Sequence, residues 1–195
     1  MMLSGFSLLL YPLVANIWNN HRQEQLISNY VAALDAADEE SSIDYVGQAN
    51  LAYEYNHNLV PSILPDSFAV AEADNVVDEE YMACLNLNGD GIMGYVEIPK
   101  IAIKIPIFHG TSNEVLQIGA GHLEGSSLPV GGESTHSVIS AHRGLPSNSL
   151  FTDLDKLEEK DHFYIKELDQ TLAYEVDQIL VVEPEDTEAL AVVDG

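Results

Sequence analysis

Cationic side chains are scarce in this sequence: 7 Lys and Arg stand against 32 Asp and Glu, a formal net charge of −25 over 195 residues. Such a field repels phosphate, so it excludes nucleic-acid binding, and it weakens electrostatic docking to an anionic membrane surface. Solubility in an extracellular setting accounts for it without invoking a cationic partner. Cysteine is scarcer still. Cys84 is the sole one, so no intrachain disulfide can form. Glu79 and Glu80 lie close to it and oppose thiolate formation, so Cys84 reads as a buried, inert thiol rather than a nucleophile. No G-x-x-x-x-G-K-[ST] or G-x-S-x-G run occurs, which removes the phosphate-cradling loop and the serine-hydrolase elbow. There is no internal repeat and no low-complexity tract. What remains is ordinary: an apolar fraction of 46% supports one cored domain with a helical appendage.

The one long uncharged stretch runs from Met1 to Asn20. It is close to the ~20 residues that span a bilayer, although Ser, Gly, Asn and Pro12 dilute it. Trp18 near its far end suits a lipid–water interface. We expect a membrane anchor over residues 1–18. A signal peptide competes, but no basic segment precedes the run; a clipped, longer membrane helix is a further alternative. Residues 19–60 read helical, with Leu26, Tyr30, Val31, Leu34 and Ala37 on one face at spacings of three and four. Ser41, Ser42 and Gly47 are expected to interrupt this region. A second piece, Val46 to Leu59, is ended by Pro61. Residues 61–78 lack a period and read as a loop, followed by a short helix over 76–87.

From residue 81 onward the texture is that of a β domain. GYVEIPKIAIKIPIF alternates in Ile and Val and is broken or edged by Pro99 and Pro106. Gly-rich turns follow, then strands in THSVISAH, DHFYIKEL and TLAYEVDQILVVEPED, with a short helix in FTDLDKL and a hairpin step at Leu168–Thr171. Strands at this spacing predict a barrel or sandwich.

Two constellations invite overreading. Asn86 to Glu97 matches a twelve-residue calcium loop in outline. Its first ligand is Asn rather than Asp, however, and Glu97 leads into Ile-Pro and a strand instead of a helix, so a plain turn into a strand is the better reading. His109, His122, His136 and His142 lie in the β region without a short ligand spacing, so no metal site is assigned. His142 differs from the others by position. Val138, Ser140 and His142 share one strand face, and the chain turns at Gly144 directly afterwards. A strand fixes such a group and a loop exposes it. Taken alone, it is also what a surface histidine beside Arg143 would look like.

The run from NLNGDGIMGYVEIPKI through IPIFHGT, GAGHLEGSSLPVGG and SAHRGLP resembles the class C sortases, the pilus-assembling branch of a family of cysteine transpeptidases. The likeness covers nearly the whole chain, and the apolar N-terminal helix running into WNNHRQ fits the same layout. The resemblance implies a mostly β fold. That fold is the sortase eight-stranded β-barrel, incomplete here at about six strands over residues 81–195, preceded by an N-terminal membrane helix and amphipathic helices. It maps the catalytic histidine onto His142. It also implies a lid in the region 61–80, with an Asp-x-aromatic anchor at Asp66 and Phe68; Ser67 stands where the family often has proline, and an aromatic simply packed on the barrel is the alternative. No cofactor is implied. The implied partners are LPxTG-motif pilin proteins, and the implied location is the membrane of a Gram-positive cell with the domain outside. Residues 1–195 contain neither a TLxTC-like strand nor its following arginine, and Arg143 does not fill that role. The chain as written is therefore expected to be inactive. The alternatives are a membrane-anchored, non-enzymatic β domain, with calcium at 86–97, and a degenerate sortase.

Overall fold

The computed structural model describes residues 2–40, 45–59, 78–146 and 148–183. Four α-helices and six strands follow in the order α1 (Met2–Glu40), α2 (Tyr45–Asn58), α3 (Glu79–Ala83), β1 (Ile92–Ile98), β2 (Ile103–His109), α4 (Asn113–Ile118), β3 (Ala120–His122), β4 (Ile139–Ser140), β5 (His162–Glu167) and β6 (Gln170–Glu175). The strands make one sheet in the order β4-β3-β2-β1-β5-β6, an open half-barrel. All neighbours are antiparallel except β2 and β3, whose parallel pairing is connected through α4.

Period-two alternation builds the two faces. Val96 and Ile98 of β1 stand beside Ile105 and Ile103 of β2, and Val96 also meets Ile165 of β5. Val96, Ile98, Ile105, Ile107 and Ile165 form the main core with Leu128, Leu150 and Tyr81. The opposite face presents Tyr95 and Phe108, on which Ile27 and Tyr30 of α1 pack in a second cluster. Two hydrogen bonds fix that helix: the Tyr30 hydroxyl donates to Met93 O at 3.2 Å and accepts from Leu168 N at 2.9 Å.

The prolines behave as their chemistry requires. Pro99 opens the 3-10 turn Pro99–Ile101 that ends β1, and Ala102 (φ 52) turns the chain into β2. Pro106 has no N–H to donate, and it sits ahead of Ile107, where pairing with β3 begins.

Several sequence expectations change. Gly47 lies inside α2 rather than in a break. The helix expected over 76–87 is confined to Glu79–Ala83, where the Asp78 carboxylate caps Glu80 N and Tyr81 N. The strand expected in THSVISAH is reduced to Ile139–Ser140. Ser126 and Ser127 hydroxyls take the N–H groups of Val138 and His136, whose carbonyls accept from Leu123 N and Ser127 N, so side chains replace half of what a regular ladder would supply. The long strand from Thr171 stops at Glu175, opposite His162, where its partner ends. β3 lies in the Gly-rich stretch expected as turns, and α4 in a stretch given no element from the sequence; α4 is short but has a proper start, with Ser112 Oγ accepting from Val115 N.

The anchor is expected over residues 1–18, within the first helix. α1 runs unbroken through Pro12 and Trp18 to Glu40, yet among the described residues no helix is long and apolar enough to cross a membrane. Tyr11, Leu13, Val14, Ile17 and Trp18 are nonetheless well exposed.

Candidate active site

β4 is the edge strand of the sheet, and His142 stands two residues beyond its end. Its side chain is half-buried. The turn that carries it closes on itself. His142 O accepts from Phe151 N at 3.1 Å, Asn148 N reaches Leu145 O at 3.3 Å, and Gly144 N donates to Thr152 Oγ1 at 3.1 Å. Gly144 holds φ +80 in open space, a conformation that side-chain-bearing residues rarely adopt. Arg143 pairs with Asp155 at 2.8 Å and donates from Nε to Thr152 O at 3.4 Å, both at the surface. An exposed pair of this kind contributes little stability, but it directs Arg143 along the turn. Arg143 thus serves the turn through Asp155 and Thr152.

One strand inward, histidine is used in another way. His122 is fully buried. Its Nε2 lies 2.8 Å from Ser127 O, a pure acceptor, so Nε2 carries the hydrogen and Nδ1 accepts from the Tyr81 hydroxyl at 2.9 Å. The Tyr81 oxygen accepts from Gly110 N at 3.0 Å. Burial first, and His109 last, hold His122 down at about 4, so it is neutral. His109 stacks edge-on against Tyr81 at 4.9 Å between ring centres. It lies 3.0 Å from Gly91 O and 2.8 Å from Cys84 O. A neutral imidazole donates to only one of these, and burial keeps its pKa lowered. These two histidines are struts.

Cys84 is buried, with its thiol 3.4 Å from Glu80 O. Burial, then Glu80 and Asp78, push it up to about 11. Such a thiol is no nucleophile at neutral pH. The calcium-like stretch is a turn: Asn86 Oδ1 accepts from Gly91 N at 2.9 Å and Asp90 Oδ1 from Ile92 N at 3.1 Å. Glu97, which would be its last ligand, lies within β1 and pairs with Lys166 at 3.2 Å. Among the described residues no group of three or more His, Cys, Asp or Glu is placed to hold a metal ion. Asp66 and Phe68 lie outside the described residues.

Sequence reasoning missed the partners that surround the turn. Tyr81 and His122 are 41 positions apart, and Gln23 and Asn148 are 125 apart. No local pattern links such residues.

The fold coincides with that of known proteins. A sortase-domain family profile matches residues 96–195, and the chain belongs to the sortase family. Its structural neighbours are class C sortases. The sortase C of Streptococcus pneumoniae superposes with a TM-score of 0.76 at 43% identity, covering 88% of this chain and 83% of that one. Sortase C1 of Streptococcus agalactiae gives 0.74 at 43% identity, covering 88% and 84%. Sortase C-1 of Actinomyces oris gives 0.73 at 39% identity, covering 77% and 83%. Among curated relatives, Sortase A of Streptococcus agalactiae serotype III (strain NEM316) is 29% identical over 102 residues, 51% of this chain and 41% of the relative. Sortase D of Bacillus subtilis (strain 168) is 32% identical over 94 residues, 48% and 44%. The matches thus span less than half the length of these curated relatives.

Proposed function

We propose that this chain carries the histidine half of a class C sortase active site, in a protein that cleaves an LPxTG-like sorting signal at its Thr–Gly bond. The acyl group then passes to a lysine amine of a pilin, which polymerises the pilus. The observation that carries this reading is the half-exposed His142, set at the exit of the open edge strand of a sortase sheet. A cysteine thiolate attacks the threonine carbonyl carbon. His142 gives a proton to the departing glycine amine, leaving a thioester, and later takes one from the attacking lysine amine. The thiolate and the oxyanion-stabilising arginine come from a TLxTC-like strand and the strand after it, which residues 1–195 do not contain. Cys84 is buried in the main core and does not stand in for the thiolate. Asp66 and Phe68 are proposed as the lid anchor. The work site is proposed to be the Gram-positive cell surface, a reading supported by the exposed apolar stretch Leu10–Trp18.

Peptide turnover tests this. The 195-residue chain should form no acyl adduct with a fluorogenic LPxTG-type peptide. A longer form that includes the cysteine strand and the arginine should cleave it, and His142→Ala there should lower kcat/KM by roughly 10²–10⁴-fold. Undiminished cleavage by His142→Ala, or a stable adduct on Cys84, would refute the assignment.

A further inference from the structure

The turn that bears His142 has little secondary structure to orient it. β4 is two residues long, and its ladder to β3 has two pairs, Gly121 with Ser140 and His122 with Ile139. The deepest fixed point of the turn is Asn148, which is 0% exposed. Its side chain meets the end of α4. The last carbonyls of a helix have no partner within it and need an outside donor. Asn148 Nδ2 supplies one to Gln117 O at 3.1 Å. Gln23 of α1, itself 4% exposed, supplies the other from Nε2 to Ile118 O at 2.9 Å. The same Gln23 nitrogen reaches Asn148 Oδ1 at 3.2 Å. Each amide thus fixes the sense of its neighbour. With a donor at Gln23, Asn148 must turn its oxygen toward α1 and its NH₂ toward Gln117. If that donor is replaced by an acceptor, the position-23 side chain and Gln117 O compete for the one Asn148 NH₂, and the turn loses its single register on α4.

We propose that Gln23 and Asn148 form a positioning clamp, through which the N-terminal helix sets the orientation of His142. Gln23 lies on α1 just before Ile27 and Tyr30, which dock that helix on the sheet, and Asn148 belongs to the turn that the Phe151 N to His142 O bond closes. Helix docking and His142 geometry are thereby one event. The functional meaning of the clamp rests on the acid–base role of His142 proposed above, but its existence is open to a test that involves no turnover.

That test is the histidine ring spectrum of the 195-residue chain labelled at His Cε1, compared for wild type, Gln23→Glu and Asn148→Asp. Both variants keep side-chain size and place a carboxylate oxygen against a carbonyl. The His142 Hε1–Cε1 signal should move by more than its line width, and its ring order should fall, while the His109 and His122 signals stay in place. A His142 signal unchanged in both variants overturns the proposal. So does a common shift of all three histidines, which would make the contact one of general packing. If Gln23→Glu prevents folding, Gln23→Met, similar in length and uncharged, is read by the same criteria. Should the longer protein cleave its peptide without His142, the sortase assignment of that residue fails while this spectrum is untouched; the two ideas therefore fail separately.

Discussion

Two neighbouring strands of one sheet treat histidine in opposite ways. On β3, His122 is closed off from solvent, with Ser127 O on one nitrogen and the Tyr81 hydroxyl on the other. Beyond β4, His142 is half-exposed on a turn held at its base and at Asn148. The lesson is that residue type and strand context do not decide a histidine's work. A ring closed off from solvent between fixed partners joins elements together; a ring that solvent reaches at a sheet edge can exchange a proton with a visitor. Glu167 adds a third case. It is 1% exposed, and among the described residues neither carboxyl oxygen has a hydrogen-bond partner.

Removing the strut should give the largest effect. His122→Ala opens a cavity and leaves Ser127 O without the ring N–H, while the Tyr81 hydroxyl keeps only the backbone carbonyl of residue 122 as acceptor, at a cost of about 4 kcal/mol. Chemical denaturation would show a fall in midpoint with an unchanged slope. A loss below about 1 kcal/mol would break the distinction between the two histidines.

Glu167 sharpens the same contrast through pH. Burial first, and Asp169 second, raise its carboxyl to about 7 from a reference value of 4.5. Between those values the unfolded chain has released a proton that the folded chain keeps. The stabilising contribution is therefore complete below the lower value, declines as pH rises, and is gone above the higher one. That span corresponds to about 3 kcal/mol. Glu167→Gln should flatten this part of the stability–pH curve, as read by thermal unfolding at stepped pH. A wild-type curve already flat there would show that the carboxylate finds a partner.

The smallest change in stability should come from the residue with the largest proposed chemical role. His142→Ala should leave the unfolding free energy within about 0.5 kcal/mol, as expected for a partly exposed side chain outside the core. A loss comparable to that of His122→Ala would make His142 another strut.

Much of the fold was legible along the chain. Alternation in Gly94–Phe108 marks β1 and β2, and Pro99 marks their turn, because period-two burial and a missing N–H are local facts. The hairpin at Leu168 is legible for the same reason: β5 and β6 meet with Glu167 opposite Gln170. His142 was legible as a candidate from its place between an apolar strand and Gly144, and the family resemblance gave it a role. α4 and β3 were not legible. Each is too short to show a period, and β3 is AGH, a strand only because β2 and β4 lie on either side of it.

The sequence by itself determined the sheet-forming alternation, the acid excess, the lack of disulfides and the family, since these reside in composition or in near neighbours. Only the tertiary structure decided which histidines are struts, that Cys84 is shut away, and that Gln23 meets Asn148. Hydrogen-bond partners and solvent access depend on groups brought together across 41 or 125 positions, and nothing local in a chain records what folding will set beside it.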